Sequence, residues 1–181
     1  MKGASILALV ILVLSGFVTA DHNFMLTVNG NYYFEGDSHY KDFYGESRIF
    51  PEGKLAVRLF GNFYLWGSYG YMWTTQTYNA WSSKGVFNAD LETESTLKKH
   101  IISGGLGYYA GYIEPGEWGL RLELGMCRIT NKVRTVSNYL ASNDVFSDEE
   151  REESGLGFRT NFGVTYGLLK GVYAEALGGY I

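Results

Sequence analysis

Residues 119–127, Gly-Leu-Arg-Leu-Glu-Leu-Gly-Met-Cys, alternate without a break between large apolar side chains and all others. Successive side chains of a strand point to opposite faces, so Leu120, Leu122, Leu124 and Met126 share one face and Arg121, Glu123, Gly125 and Cys127 the other. A helix would carry Arg121 and Glu123 into the apolar stripe within one turn. The period therefore predicts a strand with one purely apolar face, and the fold must give that face something to meet.

Segments of the same period recur on both sides of this one. Residues 23–34 set Phe24, Leu26, Val28, Tyr32 and Phe34 against Thr27, Asn29 and Asn31. Residues 54–61 set Leu55, Val57 and Leu59 against Ala56, Arg58 and Phe60, and Gly61-Asn62 is a tight-turn pair. Residues 63–76 and 97–112 follow, the second ending before Glu114-Pro115-Gly116-Glu117. There Pro presets φ and Gly takes the strained turn position. The opening stretch continues toward Ile129 and Val133. Residues 154–166 then set Leu156, Phe158, Phe162 and Val164 against Arg159 and Asn161, and residues 172–181 set Val172, Ala174 and Ala176 against Glu175.

The connections alternate in length. Those after the second, fourth and sixth segments are short, whereas residues 35–53, 77–96 and 138–153 read as long polar loops. In an antiparallel meander all the long loops then fall at one end of the sheet and all the tight turns at the other. Fifteen Tyr, eleven Phe, four Trp and 24 Gly against two Pro agree with a β-rich chain, and 181 residues suffice for one domain whose sheet closes on itself.

The N-terminus has the pattern of a secretory leader. Lys2 precedes an apolar run over residues 4–14, and Val18-Thr19-Ala20 supplies a small-residue cleavage site, so a cut after Ala20 is expected, with residues 21–181 as the exported domain. The apolar run is shorter than the roughly 20 residues of a helical membrane span, and no later segment reaches that length. A formal net charge of −4 without a basic stripe argues against nucleic acid as a partner. Cys127, the single cysteine, has no internal disulfide partner and reads as a structural strand position.

The composition of the non-apolar face bears on which face is wet. It is dominated by Gly, Ser, Asn and Thr, with the isolated charges Arg58, Arg121, Glu123, Arg159 and Glu175. Small residues suit the narrow lumen of a small barrel. An arginine turned to lipid near the bilayer midplane would cost about 2–4 kcal/mol, so these five residues are expected to face a common axis and pair there as a lumen ion-pair network. Tyr32, Phe34, Tyr69, Tyr71, Trp73, Tyr108 and Tyr166 lie toward segment ends, as rings at a headgroup boundary do. The expected fold is all-β, an antiparallel up-and-down transmembrane β-barrel. A soluble barrel carrying the same charges on its surface remains the alternative at this point.

With these features, the chain resembles the small outer-membrane β-barrel proteins of Gram-negative bacteria, of the OmpA, OmpX and opacity types. The residues that carry the likeness are 24–34, Asn62-Phe63-Tyr64-Leu65-Trp66-Gly67-Ser68-Tyr69-Gly70-Tyr71, 104–109 and 155–167. The resemblance implies eight strands and a place in the cell outer membrane. It also implies insertion by the outer-membrane assembly machinery, contact with outer-membrane lipid and lipopolysaccharide, and a structural or surface-interaction role rather than an enzymatic one. Seven visible segments depart from the even number of bacterial single-chain barrels. Either two strands have been read as one, or the sequence stops within its last strand at Gly179-Tyr180-Ile181. Two other functions stay open: a porin-like passage for small or apolar solutes, as in OmpW-like barrels, and an outer-membrane lipid hydrolase or acyltransferase using Asp37, Ser38 and His39.

Other chemistry finds little support. Gly105-Leu106-Gly107-Tyr108-Tyr109-Ala110 mimics a dinucleotide fingerprint but opens no predicted helix, so no cofactor is expected. His22, His39 and His100 are scattered, and no metal ligand set is assigned. The acidic run over residues 147–153 reads either as a solvated loop or as a holder of Ca²⁺ or Mg²⁺ bridged to lipopolysaccharide phosphates.

Overall fold

Period-two patterning becomes strand, and the strands run on past the places where apolar residues stop. A computed structural model describes residues 10–11, 18–21, 23–34, 47–84, 87–111, 114–140, 144–170 and 172–180, and among these it contains strands and turns but no helix. The strands are β1 (Val10–Ile11), β2 (Val18–Asp21), β3 (Phe24–Phe34), β4 (Ser47–Phe60), β5 (Phe63–Lys84), β6 (Phe87–Ala110), β7 (Trp118–Tyr139), β8 (Val145–Leu169) and β9 (Val172–Tyr180). Every pairing is antiparallel, and the sheet order is β1-β9-β8-β7-β6-β5-β4-β3-β2.

The seven long strands β3–β9 thus form an up-and-down meander, matching the seven segments read from the sequence. No ladder joins β3 directly to β9. Their inner faces nevertheless meet, since Thr27 on β3 lies 3.2 Å from the Tyr173 hydroxyl on β9. The short strands β1 and β2 lie at this junction, β1 paired with β9 and β2 with β3, and each also comes within 8 Å of the other edge. Of the expected leader, only residues 10–11 and 18–20 are described. The Ala20–Asp21 bond lies inside β2.

Tight turns occur where they were read. Gly61, at φ 52°, and Asn62 link β4 to β5, and the backbone N–H of Glu117 donates to the Glu114 carbonyl at 3.1 Å to close the Pro115-Gly116 turn before β7. The long connections differ from expectation. Residues 77–84, 87–96 and 145–153 are strand, so β5–β8 extend as two long hairpins instead of opening into loops. Cross-strand hydroxyl pairs take over from apolar rows there: Thr75 with Thr96 at 3.1 Å, Thr93 with Ser137 at 2.9 Å and Ser95 with Thr135 at 3.3 Å. Alternation persists through Leu91, Thr93, Ser95 and Leu97, which are buried, but both faces are too polar for an apolar-period reading to register it.

β4 also begins earlier than expected, running back through Pro51. Pro51 pairs with Gly30 of β3, while the ladder to β5 starts only at Glu52. The strand is one-sided at that point, where a missing N–H is tolerated.

Two facing glycines let the sheet bend. Gly105 and Gly125 are register partners on β6 and β7. A β-carbon on Gly125 would lie 2.3 Å from the Gly104 carbonyl oxygen and 2.8 Å from the Trp66 ring, and one on Gly105 would lie 2.0 Å from the Leu124 carbonyl oxygen. The indole of Trp66 fills the space the missing side chains leave. Gly125→Val is expected to abolish folding, read as loss of the β-sheet circular-dichroism signal and of protease resistance. Gly155→Ser, at a position with nothing within 4 Å, is expected to leave both unchanged.

Candidate functional site

The two faces of the sheet sort by polarity in the inverse of the globular pattern. Leu122 and Leu124 are 45% and 55% exposed, while their strand neighbours Arg121 and Glu123 are 2% and 0%. Among the described residues twenty-nine large hydrophobic side chains are exposed against eleven hydrophobic ones buried. The inward charges of the network each find an opposite partner there.

Arg121 is the hub. Its Nε donates to Glu123 at 2.7 Å, its Nη1 pairs with Glu175, and its Nη2 donates to the Tyr109 hydroxyl at 2.9 Å while the guanidinium lies 4.5 Å over that ring. Glu123 also accepts from Lys54 Nζ at 2.8 Å, from Asn161 at 2.7 Å and from the Tyr109 hydroxyl at 2.8 Å. Arg159 binds Glu52 through both terminal nitrogens, at 2.5 and 2.9 Å, and its Nη1 donates further to Ser68 and Ser103. Asn31 donates to Glu52 at 2.7 Å and Asn29 to Glu175 at 2.9 Å. Lys54 and Arg159 both lie within 6 Å of the Trp66 ring centre, at 5.5 and 5.8 Å. Three cations and three carboxylates balance, and β3 to β9 each contribute at least one side chain.

Apolar layers lie on both sides of this network. Along β4 the inner positions run Phe50, Glu52, Lys54, Ala56. Phe50 packs with Met72, Ile101 and Ile129, and Ala56 packs with Met25, Trp66 and Tyr173. Every carboxylate of the network is committed to a cation.

Of the five residues expected in a lumen network, Arg121, Glu123, Arg159 and Glu175 are brought together. Arg58 is not among them. It has the inward phase but sits at the turn end of β4, only half-buried, and its Nε donates to the Gly61 carbonyl at 2.6 Å. Glu52 and Lys54 complete the network in its place. Their parity on β4 matches Ala56 and Arg58, so carrying the alternation back across Pro51-Glu52-Gly53 would have found them.

His22, Asp37, Ser38 and His39 lie outside the described residues. His100 bonds through Nδ1 to the Tyr69 hydroxyl at 2.8 Å. The run over residues 147–153 lies within β8, which sends alternate acids to opposite faces. Arg134 holds Asp148 at 2.6 Å, Lys132 holds Glu152 at 2.8 Å and Arg151 holds Glu153 at 2.5 Å. Hydrogen bonds from Arg134 and Lys132 keep the Asp148 and Glu152 carboxyls below the ordinary carboxylate range. The described residues contain no group of three His, Cys, Asp or Glu that would hold a metal ion. Gly105 to Ala110 lie within β6 and open no helix. No protein family, curated protein or solved structure matches the chain.

Removing one member of a buried pair strands its partner's charge. Glu123→Gln is expected to destabilise the fold by about 3–5 kcal/mol, measured by the urea midpoint of unfolding, and Arg58→Ala by no more than about 0.5 kcal/mol.

Proposed function

We propose that the chain is a small outer-membrane β-barrel protein with a side-chain-filled, non-conducting lumen, serving a structural or surface-interaction role. The single observation that carries this reading is the inversion of polarity: an apolar outer face over a buried network of paired charges. A solvated sheet would not leave that outer face bare, because large exposed apolar patches are unfavourable in water.

The dimensions agree. On β5 the outward row from Phe63 to Trp73 covers eleven residues, the length of one tilted membrane strand. At a rise of about 3.3 Å and the tilt usual for such barrels, that spans roughly 25 Å. Aromatic rings mark both ends. Phe63 meets Phe60 at a tilt and Tyr108 edge-on, each at 5.2 Å, and Trp118 meets Tyr166 at 4.8 Å on the turn side, while Tyr71 stacks with Trp73 at 5.8 Å on the other. The leader-like N-terminus supports export, and a membrane strand protein of this kind depends on the outer-membrane assembly machinery for insertion. Closure of the meander requires its β3 and β9 edges to be covered, and the side-chain contacts Thr27–Tyr173 and Asn29–Glu175 that cross between these strands support it.

The layers at Phe50, Met72 and Ile101 and at Met25, Trp66 and Tyr173 argue for a blocked interior over a passage for solutes. In planar bilayers the purified chain is expected to give no large, steady single-channel current; such a current would overturn the plug.

A further inference from the structure

The two ends of the seven-stranded meander point the same way. Six antiparallel ladders separate β3 from β9, and an even number of reversals leaves the two edge strands parallel. An antiparallel ladder cannot join them directly, so a closed all-antiparallel sheet needs one more strand in the seam, opposed to both edges. A second copy of the chain does not supply it. Inserted the same way up, it brings its β9 to β3 in the same parallel sense.

Two pieces of the N-terminus meet the requirement. β1 pairs antiparallel with β9, position 10 opposite Gly179 and position 11 opposite Gly178. β2 pairs antiparallel with β3, positions 18, 19, 20 and 21 opposite Thr27, Leu26, Met25 and Phe24. Opposed to parallel edges, β1 and β2 therefore run in one direction. They also keep one phase. On β3 the inward residues are Met25 and Thr27, and on β9 Glu175 and Leu177 are inward, which gives Gly179 the inward phase. Positions 10, 18 and 20 thus all stand opposite inward positions, while 11, 19 and 21 stand opposite outward ones. Both pieces lie at the level of the apolar band: Phe24 and Leu26 on β3 are exposed, as is Phe162 of β8, the register partner of Gly178.

We propose that β1 and β2 together take the place of an eighth strand, closing the sheet between β9 and β3, and that the folded protein retains them in the membrane. The inference rests on the barrel reading above. A cut after Ala20 would remove β1 and leave only Asp21 of β2. The β3 and β9 edges would then face lipid, where their backbone N–H and C=O groups have no water to meet. The apolar run that has the pattern of a leader is in this reading also the closing element of the sheet.

The test uses the full chain, expressed in a Gram-negative host and extracted from its outer membranes. Its intact mass is expected to include the residues before Asp21; an N-terminus at Asp21 in a membrane-inserted chain overturns the proposal and leaves the barrel reading standing. In a Cys127→Ser background, Ile11→Cys/Gly178→Cys is expected to form an intramolecular disulfide on mild oxidation, and Ile11→Cys/Leu177→Cys, whose positions have opposite phase, to form none. A retained N-terminus with no bridge at 11 and 178, or with equal bridging in both pairs, overturns the closure. Should the substitutions at 177 and 178 prevent folding, backbone hydrogen exchange of the unaltered chain reads the same point: protection at residues 178 and 179 is expected, and free exchange there overturns it. A chain absent from the outer membrane overturns the barrel reading and this inference with it.

Discussion

A charge buried in this interior must be met by an opposite one, and the partners come from strands the ladder does not join. Hydrogen-bonded pairing connects only neighbours, so it leaves a meander free to lie flat or curl. Lys54 to Glu123 joins β4 to β7, Arg159 to Glu52 joins β8 to β4, and Arg121 to Glu175 joins β7 to β9. These contacts can all form only when the sheet is curled tightly enough for opposite walls to touch. The glycines at 105 and 125, with Trp66 lying over them, permit that curvature.

The same network polices register. A slip of one residue along any strand would turn its charge to the outer face and an outer leucine to the interior. Breaking a buried pair is strongly destabilising, whereas forming one contributes little net stability over an apolar equivalent. Its effect is thus greater on which arrangement forms than on how stable that arrangement is. The apolar layers at Phe50 and at Met25 keep water from the pairs, which strengthens their attraction.

Along β5 to β8 the outer face changes chemistry partway. Up to Trp73 and Ile102 it is mostly aromatic and aliphatic; beyond them come Lys98 and the cross-strand pairs Lys132–Glu152 and Arg134–Asp148. Backbone pairing runs through the change without interruption, because hydroxyl and ion pairs take over the cross-strand contacts where the apolar rows end. For this reason the hairpin extensions at residues 77–96 and 138–153 were not legible as strands: the signal read was apolar alternation, and it ends where the apolar surroundings end. Within the apolar band strand identity and facing were plain. The inward phase of Arg121, Glu123, Arg159 and Glu175 followed directly from the leucines and phenylalanines between them. Arg58 had the same phase, but a residue beside a two-residue turn has the turn's own carbonyl within reach, and parity carries no information about that.

The amino-acid sequence by itself determined that the apolar-patterned segments are strands, which of their side chains share a face, and where the tight turns fall, because these depend on neighbours one or two residues away. Only the tertiary structure decided which charges meet. Glu52 and Arg159 are 107 residues apart, and Asn29 and Glu175 146 apart. Their encounter depends on the curl of the whole sheet and the stagger of its strands, neither of which is written in the period of any single segment.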